Sequence, residues 1–275
     1  MSNKIFKKLL IFFASILIIS CSPSEKKIIE KKNIYPLEDI YKAAYQKFEE
    51  GSYADSIKLF ELVEKDYSYT DWASKASLMR SYIYYETSNY ILALANLQRF
   101  KKRYSEKKDL PYVEYLMAMC LFEQINFVSL TQENTELALK QFNKIVNEYP
   151  TTSYATDSKF KIDLIYDQLA GKEMYLARYY IKRQKWNGAL YRLNNVVKNY
   201  QSTVYIKEAL HRLVEVHYIL GNINSAKKYA SILGYNYNDS DWYKKSYTVV
   251  TGSNILLEKE KQKKTFKEKV KRLFR

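Results

Sequence analysis

From Tyr35 onward, small, apolar and polar positions recur along the chain in one order. Gly51-Ser52-Tyr53-Ala54-Asp55-Ser56-Ile57 leads to Phe60, Val63 and Tyr67, and Ser88-Asn89-Tyr90-Ile91-Leu92-Ala93-Leu94 leads to Leu97, Phe100 and Tyr104. A third copy has Ala138-Leu139, Phe142, Ile145, Tyr149 and Pro150, and a fourth has Trp186, Ala189-Leu190, Leu193, Val196 and Tyr200. A weaker fifth has Gly221, Ile223, Ala226, Ala230 and Leu233. Apolar residues four and seven places after a small one share a helical face, so each copy predicts an amphipathic helix. The small anchors Ser56, Ala93, Ala138, Ala189 and Ala226 lie 37, 45, 51 and 37 residues apart, which predicts extra loop or longer helices in the third and fourth units. A long helix is expected over 110–124, then a loop from Asn126 to Asn134.

These copies resemble the second half of the tetratricopeptide motif, a helix–turn–helix unit of about 34 residues. One such pair cannot bury its apolar face alone, and stacking several makes a continuous core. The expected fold is therefore all-α, an α-solenoid of about five tetratricopeptide-like repeats over 35–240. In this motif the second, fifth, ninth and twelfth positions of helix A line the concave face. Starting at Leu37 these are Glu38, Tyr41, Tyr45 and Phe48, and starting at Ser74 they are Lys75, Leu78, Tyr82 and Tyr85. Tyr41, Tyr45, Tyr82 and Tyr85 are the candidate peptide groove, since tyrosine offers large contact area at low entropy cost. Some of them are expected to pack under the next helix instead.

The first 20 residues read as an address. Lys4, Lys7 and Lys8 precede an uncharged run from Leu9 to Ile19, too short to cross ~30 Å of hydrocarbon and suited to a signal-peptide core. Ile18-Ile19-Ser20-Cys21 resembles the lipobox of bacterial lipoproteins, which implies lipidation at Cys21 and cleavage before it. Ser22, where aspartate would retain a lipoprotein at the inner membrane, suggests the outer membrane. Residues 21–34 then form a polar tether.

Composition adds limits. Six glycines and four prolines in 275 residues are too few for a loop-rich sandwich or a Rossmann sheet. The two histidines, His211 and His217, fall on opposite sides of a helix and cannot chelate one metal from it. No phosphate loop, nucleophile elbow or catalytic constellation occurs, so no catalytic residue, metal or cofactor is expected. Cys120 sits in an apolar run and reads as core. The formal charge of +15 matches nucleic acid, anionic lipid or an acidic partner, and equally the Lys, Ile, Asn and Tyr bias of AT-rich codons. The export signal argues against nucleic acid. Residues 241–275 read as a C-terminal helix and a basic tail; from Glu258 to Arg275 the tail carries nine Lys/Arg against three Glu, with Phe266, Val270, Leu273 and Phe274 on one helical stripe.

A more specific likeness lies in the middle of the chain. Tyr149-Pro150-Thr151-Thr152-Ser153-Tyr154-Ala155-Thr156-Asp157, Leu169-Ala170 with Glu173, and Ala177-Arg178-Tyr179-Tyr180 before Trp186 resemble the BamD family, lipoproteins of the outer-membrane β-barrel assembly (BAM) machinery. The likeness runs over about residues 15–245; Ile223 and the basic extension past Tyr247 depart from it. It implies a non-enzymatic scaffold in the outer membrane, facing the periplasm, that helps recruit and insert unfolded β-barrel proteins. The implied partners are a BamA POTRA domain and other BAM lipoproteins. It also implies a partner contact at Arg192, which should sit at the edge of its helix's buried stripe with the guanidinium outside. A repeat lipoprotein organising peptidoglycan enzymes or a pilus secretin shares the lipobox and repeats, but not these stretches.

Overall fold

The computed structural model describes residues 36–252. The leader, Cys21 and the tether, together with the apolar stripe of the basic tail, lie outside them. The described residues form eleven helices and no strand: α1 (Leu37–Glu49), α2 (Tyr53–Asp66), α3 (Asp71–Glu86), α4 (Tyr90–Arg103), α5 (Leu110–Phe122), α6 (Glu133–Glu148), α7 (Ser153–Lys182), α8 (Trp186–Asn199), α9 (Ile206–Ile219), α10 (Ile223–Asn236) and α11 (Asp241–Thr251). They pair as five A–B units, α1/α2 to α9/α10, followed by α11 packed on α9 and α10. The architecture is the expected α-solenoid.

The five small anchors are all fully buried on B helices, as are the large residues four and seven places later, from Phe60 and Val63 to Leu193 and Val196. Each such large side chain contributes about 1.5–3 kcal/mol when taken from water. In the first unit the packing is polar as well, since Ser56 Oγ donates to the Ala44 carbonyl at 2.7 Å.

Two turn types alternate. Four A–B turns pass through one residue of positive φ: Gly51 (75°), Ser88 (58°), Gln184 (55°) and Gly221 (73°). Each makes the same pair of bonds. Ser52 N–H reaches the Lys47 carbonyl at 2.9 Å and Gly51 N–H the Phe48 carbonyl at 3.0 Å, and the other three repeat this. This is the Schellman closure, which satisfies the last carbonyls of helix A. The B–A turns all begin at a tyrosine, Tyr67, Tyr104, Tyr149, Tyr200 and Tyr237, which caps helix B. In four of them a hydroxyl three residues on donates to that tyrosine's carbonyl: Thr70 and Thr203 at 2.7 Å, Thr152 and Ser240 at 2.8 Å.

The uneven spacing has two causes. The third unit joins α5 to α6 by residues 123–132, a loop held onto α7 by Gln168 Nε2 to the Asn126 carbonyl at 2.6 Å and Lys172 Nζ to the Ser129 carbonyl at 3.0 Å. The helix over 110–124 stops at Phe122, two residues short, and Glu133 and Asn134, both within the expected loop, form the first turn of α6. The fourth unit has the 30-residue α7, about 45 Å long. Its first half shares a core with α5 and α6 through Ile162 and Ile165, and its second half shares one with α8 and α9 through Met174 and Ala177. Buried charge ties neighbours further. Glu114, 2% exposed, takes Lys101 at 2.5 Å and Lys144 at 2.7 Å as well as Gln141, which joins α4, α5 and α6. At the far end His211 Nδ1 lies 2.8 Å from Ser246 Oγ, which fixes α11 to α9. His211 Nε2 lies 3.3 Å from Glu215, which also takes Arg212 at 2.7 Å.

The turns and the buried carboxylate can each be tested. A Cβ at Gly51 or Gly221 meets no neighbour, so the cost of alanine there is backbone conformation alone. Gly51→Ala and Gly221→Ala should each lower stability by about 1 kcal/mol, read as a fall in urea midpoint, whereas Ser88→Gly should not lower it. Burial alone would raise the Glu215 carboxyl, but the His211 and Arg212 bonds outweigh it and hold it down to about 2. A carboxyl depressed by folding stabilises above its unfolded pKa of about 4.5 and loses that contribution as pH falls. Glu215→Gln should thus unfold at a lower temperature than the parent at pH 6, and the two curves should converge between pH ~4.5 and ~2.

Candidate functional site

The A helices of the first three units converge on one open groove of about 480 Å³. Tyr41, Tyr45 and Phe48 come from α1, where spacings of four and three put them on one face; Lys75, Leu78, Met79 and Tyr82 come from α3 by the same geometry. Asp109 and Tyr112 close it from the start of α5. The walls are aromatic and braced from behind. Tyr41 meets Trp72 edge-on at 4.8 Å and Phe60 at 5.2 Å, while Phe48 lies 6.0 Å from Tyr82. Burial raises the Tyr41 phenol, and a hydrogen bond with Glu86 raises that of Tyr82, so both stay protonated donors at neutral pH. Tyr45 keeps 43% of its surface exposed and is the most accessible of the groove tyrosines.

Three of the four tyrosines named from the sequence thus share one surface, and Tyr85 is set apart from it. Tyr85 packs 5.9 Å from Tyr90 across the α3–α4 turn, among the residues around Leu97 and Cys120. Burial, with Glu123 second, pushes its phenol up to about 12. Phe48 holds the equivalent place in α1, beside Tyr53, yet lines the groove against Tyr82, whereas Tyr85 is taken up by the core that α4 and α5 share. Met79 and Tyr112, absent from the expected lining, take part instead. Met79 follows Leu78 on the same face, and Tyr112 follows from the tetratricopeptide register carried one unit further.

Arg192 lies on α8, part-exposed, and its guanidinium is not free. Its Nη1 donates to both oxygens of Glu173 on α7, at 3.1 and 3.3 Å, and its guanidinium sits over the Tyr191 ring at 5.3 Å. The helical pattern predicts this group at the stripe edge, facing out. The structure keeps the edge position but supplies an internal carboxylate, because α7 and α8 run antiparallel and bring position 173 opposite 192. Nearby, Arg178 forms a two-pronged pair with Glu208 of α9, at 3.0 and 2.6 Å. Tyr175, Tyr179 and Tyr191 are exposed around these charges.

Other candidates are structural. Cys120 is fully buried, and burial pushes its thiol up to about 12, which keeps it protonated and inert. His217 stacks on Tyr229 at 5.5 Å, away from His211. Among the described residues no group of three or more His, Cys, Asp or Glu is placed to hold a metal, and no helix is long and apolar enough to cross a membrane.

Comparison with known proteins gives the family. The family of YfiO, outer membrane lipoproteins, matches residues 35–233. The outer membrane protein assembly factor BamD of Caulobacter vibrioides is 34% identical over 238 residues, 86% of this chain and 78% of that protein. The factor of the same name from Rickettsia prowazekii is 34% identical over 217 residues, 79% of this chain and 86% of that protein. Among solved structures, the tetratricopeptide domain of P58(IPK) aligns with a TM-score of 0.40 at 13% identity, over 78% of this chain and 55% of that one. With an all-helical repeat array, a family match across nearly all of it and BamD relatives over most of their own length, the chain belongs to the BamD (YfiO) family of outer membrane lipoproteins.

Proposed function

We propose that this chain is an outer-membrane assembly scaffold, a lipoprotein of the β-barrel assembly complex that binds unfolded barrel proteins and presents them to the membrane-embedded barrel-assembly partner. The relatives' shared name of outer membrane protein assembly factor supports the coarse role. The observation that carries the finer one is the open aromatic groove across α1, α3 and α5. The groove runs across three A helices and so offers room for a short length of extended chain. A barrel strand alternates apolar and polar side chains, so one face of it offers large apolar groups to tyrosine walls while the other stays wet. Nothing in the site does covalent chemistry; its work is binding. Cys21, lipidated, would hold the array at the inner leaflet of the outer membrane, in the periplasm, since several acyl chains give a lasting anchor where one is marginal.

The two halves divide the work. The groove occupies the first three units. The C-terminal units carry the partner contact, with a BamA POTRA domain docking around Arg192 and other lipoproteins of the complex elsewhere on the array. Arg192 uses Nη1 on Glu173, and among the described residues its Nε and Nη2 hold no bond, so a partner carboxylate has donors to meet.

Tyr45→Ala together with Tyr82→Ala should weaken binding of a peptide from the C-terminal strand of a barrel protein by tenfold or more, on the order of 1–2 kcal/mol for each ring removed. Far-UV dichroism should be unchanged, and equal affinity in variant and parent would return both tyrosines to a packing role. For the Arg192 surface, Arg192→Glu should release the partner when the complex is purified from detergent-solubilised membranes. Glu173→Gln, which removes the internal pair and keeps the arginine, should retain it. Release in both variants would assign Arg192 to helix packing rather than to the interface.

A further inference from the structure

Negative charge is missing from one edge of the array. Between Glu173 and Glu208, and again between Glu215 and Asp239, the chain has no carboxylate. These stretches hold the A–B turns of the fourth and fifth units. Lys182, Arg183 and Lys185 stand exposed at the first turn, Lys227 and Lys228 just past the second. Arg183 lies over the Tyr179 ring, and the ion pairs of these two units, Arg178–Glu208, Arg192–Glu173 and Arg212–Glu215, use none of the five cations. The corresponding turns of the first three units carry Glu49, Glu50, Glu86 and Glu123 instead. The cationic turns also stand apart in space. The 123–132 loop, which is the A–B connection of the third unit, lies on α7 near Gln168 and Lys172. From Gly171 to Lys182 the helix rises about 16 Å further, so the later turns project beyond the earlier ones.

The fifth-unit turn is apolar at its tip. Tyr218, Ile219, Leu220 and Ile223 are all exposed around the positive-φ Gly221, with Ile219 at 59%. Val249 and Val250 pack the end of α11 against Val214 and Ala226, so the last described residue, Gly252, comes out beside that tip. The sequence from Glu258 to Arg275 then adds nine Lys/Arg against three Glu. We infer that this edge rests on a membrane surface of anionic phospholipid, with the five cations against headgroup phosphates and the Tyr218–Ile223 tip where headgroups meet acyl chains. Two features choose lipid over an acidic protein. Four of the five cations are lysines, which protein interfaces deplete in favour of arginine, and a hydrated point charge suits phosphates that move. An apolar tip that includes a tyrosine and is ringed by lysines also has the chemistry of a membrane–water boundary. The attraction adds up over the cations and fades within a Debye length of the surface. This inference goes beyond the assembly role and does not depend on the aromatic groove. It adds a reversible contact at the end of the array opposite the one that follows Cys21.

The test uses the full-length chain reconstituted into vesicles of phosphatidylcholine, alone or with roughly 30% phosphatidylglycerol. A polarity-sensitive thiol dye is placed at Ile219→Cys or, as a control, at Tyr69→Cys, which is fully exposed in the α2–α3 turn on the opposite edge. Cys120 is fully buried, and the parent chain carried through the same labelling gives the blank. With phosphatidylglycerol, spin-labelled lipid should quench the dye at 219 at least about threefold more than the dye at 69, and ~0.5 M salt should remove most of the difference. Lys182→Glu, Lys185→Glu, Lys227→Glu and Lys228→Glu together should abolish it with helical dichroism unchanged, while arginine at the same four positions should keep it. Equal quenching at 219 and 69 in the anionic vesicles overturns the inference, since the array then turns no particular edge to the membrane. Loss of quenching when only the tail is neutralised (Lys263→Gln, Lys264→Gln, Lys267→Gln and Lys271→Gln), with the edge reversal having no effect, also overturns it, because the tail then binds lipid unaided. A dye at 219 that is shielded in the detergent-purified complex but not in vesicles gives the edge to a protein partner and likewise ends the lipid reading.

Discussion

Five side chains no larger than serine set how closely the two helices of every unit approach. Ser56, Ala93, Ala138, Ala189 and Ala226 are fully buried on the B helices. A larger side chain at any of them pushes the pair apart and pulls the large residues four and seven places later out of their seats; overpacking of this kind typically costs about 1–3 kcal/mol. The groove inherits its geometry from the same approach. Its walls are the outward faces of α1, α3 and α5, and their spacing is set by the B helices packed between them. The groove is thus built on rigid helices, and the precision of the aromatic lining is a consequence of small residues on the other side of the layer of helices.

The second constraint is α7. Because its two halves belong to different cores, the three-unit part with the groove and the part with Arg192 share one unbroken rod. Gly171 sits at the handover. A Cβ there would come within 3.1 Å of the Tyr205 hydroxyl and 3.2 Å of Val128, so a larger residue has to push the 123–132 loop or the turn before α9 back by a few tenths of an ångström. The inserted loop and the lengthened helix, which broke the regularity of the spacing, are therefore one device. They join two short solenoids into one and fix the angle between the aromatic groove and the surface around Arg192.

This architecture is legible in the sequence where it depends on a helix's own face. The small–large–large order of the B helices survives in five copies because every unit must solve the same packing problem. The concave register of α1 and α3 follows from the motif and puts Tyr41, Tyr45 and Tyr82 along the groove. What is not legible depends on the neighbouring helix. Tyr85 obeys the same register, yet it is drawn to the first residue of α4. Arg192 lies at the stripe edge as its own helix dictates, but Glu173 is nineteen residues away and meets it only once α7 has turned back into α8. Gly51 and Gly221 announce their turns, while Ser88 and Gln184 adopt the same positive φ under the pull of the surrounding hydrogen bonds. The hydroxyl three residues after each terminal tyrosine is a turn signal that the helical pattern passes over: Tyr67 to Thr70, Tyr149 to Thr152, Tyr200 to Thr203 and Tyr237 to Ser240 carry one turn chemistry.

Charge separates what builds the fold from what is left to bind. Arg80 pairs with Glu64 at 2.7 Å, Arg178 with Glu208 at 2.6 Å and Arg212 with Glu215 at 2.7 Å, each joining or bracing helices. Arg80 is buried, but the part-exposed Arg178 and Arg212 pairs are worth little in the free chain, about 0–1 kcal/mol, since water screens them. Their value changes when a second surface excludes that water. A pair such as Arg192–Glu173 then becomes a desolvated cluster whose energy depends on whether the incoming surface completes its hydrogen bonds, and removing one member costs about 2–5 kcal/mol. The same internal pair that adds little to folding fixes the orientation of the arginine at the surface. Lys75 is held over the Trp72 ring rather than by an ion pair, so among the described residues its ammonium keeps its hydrogen-bond donors uncommitted.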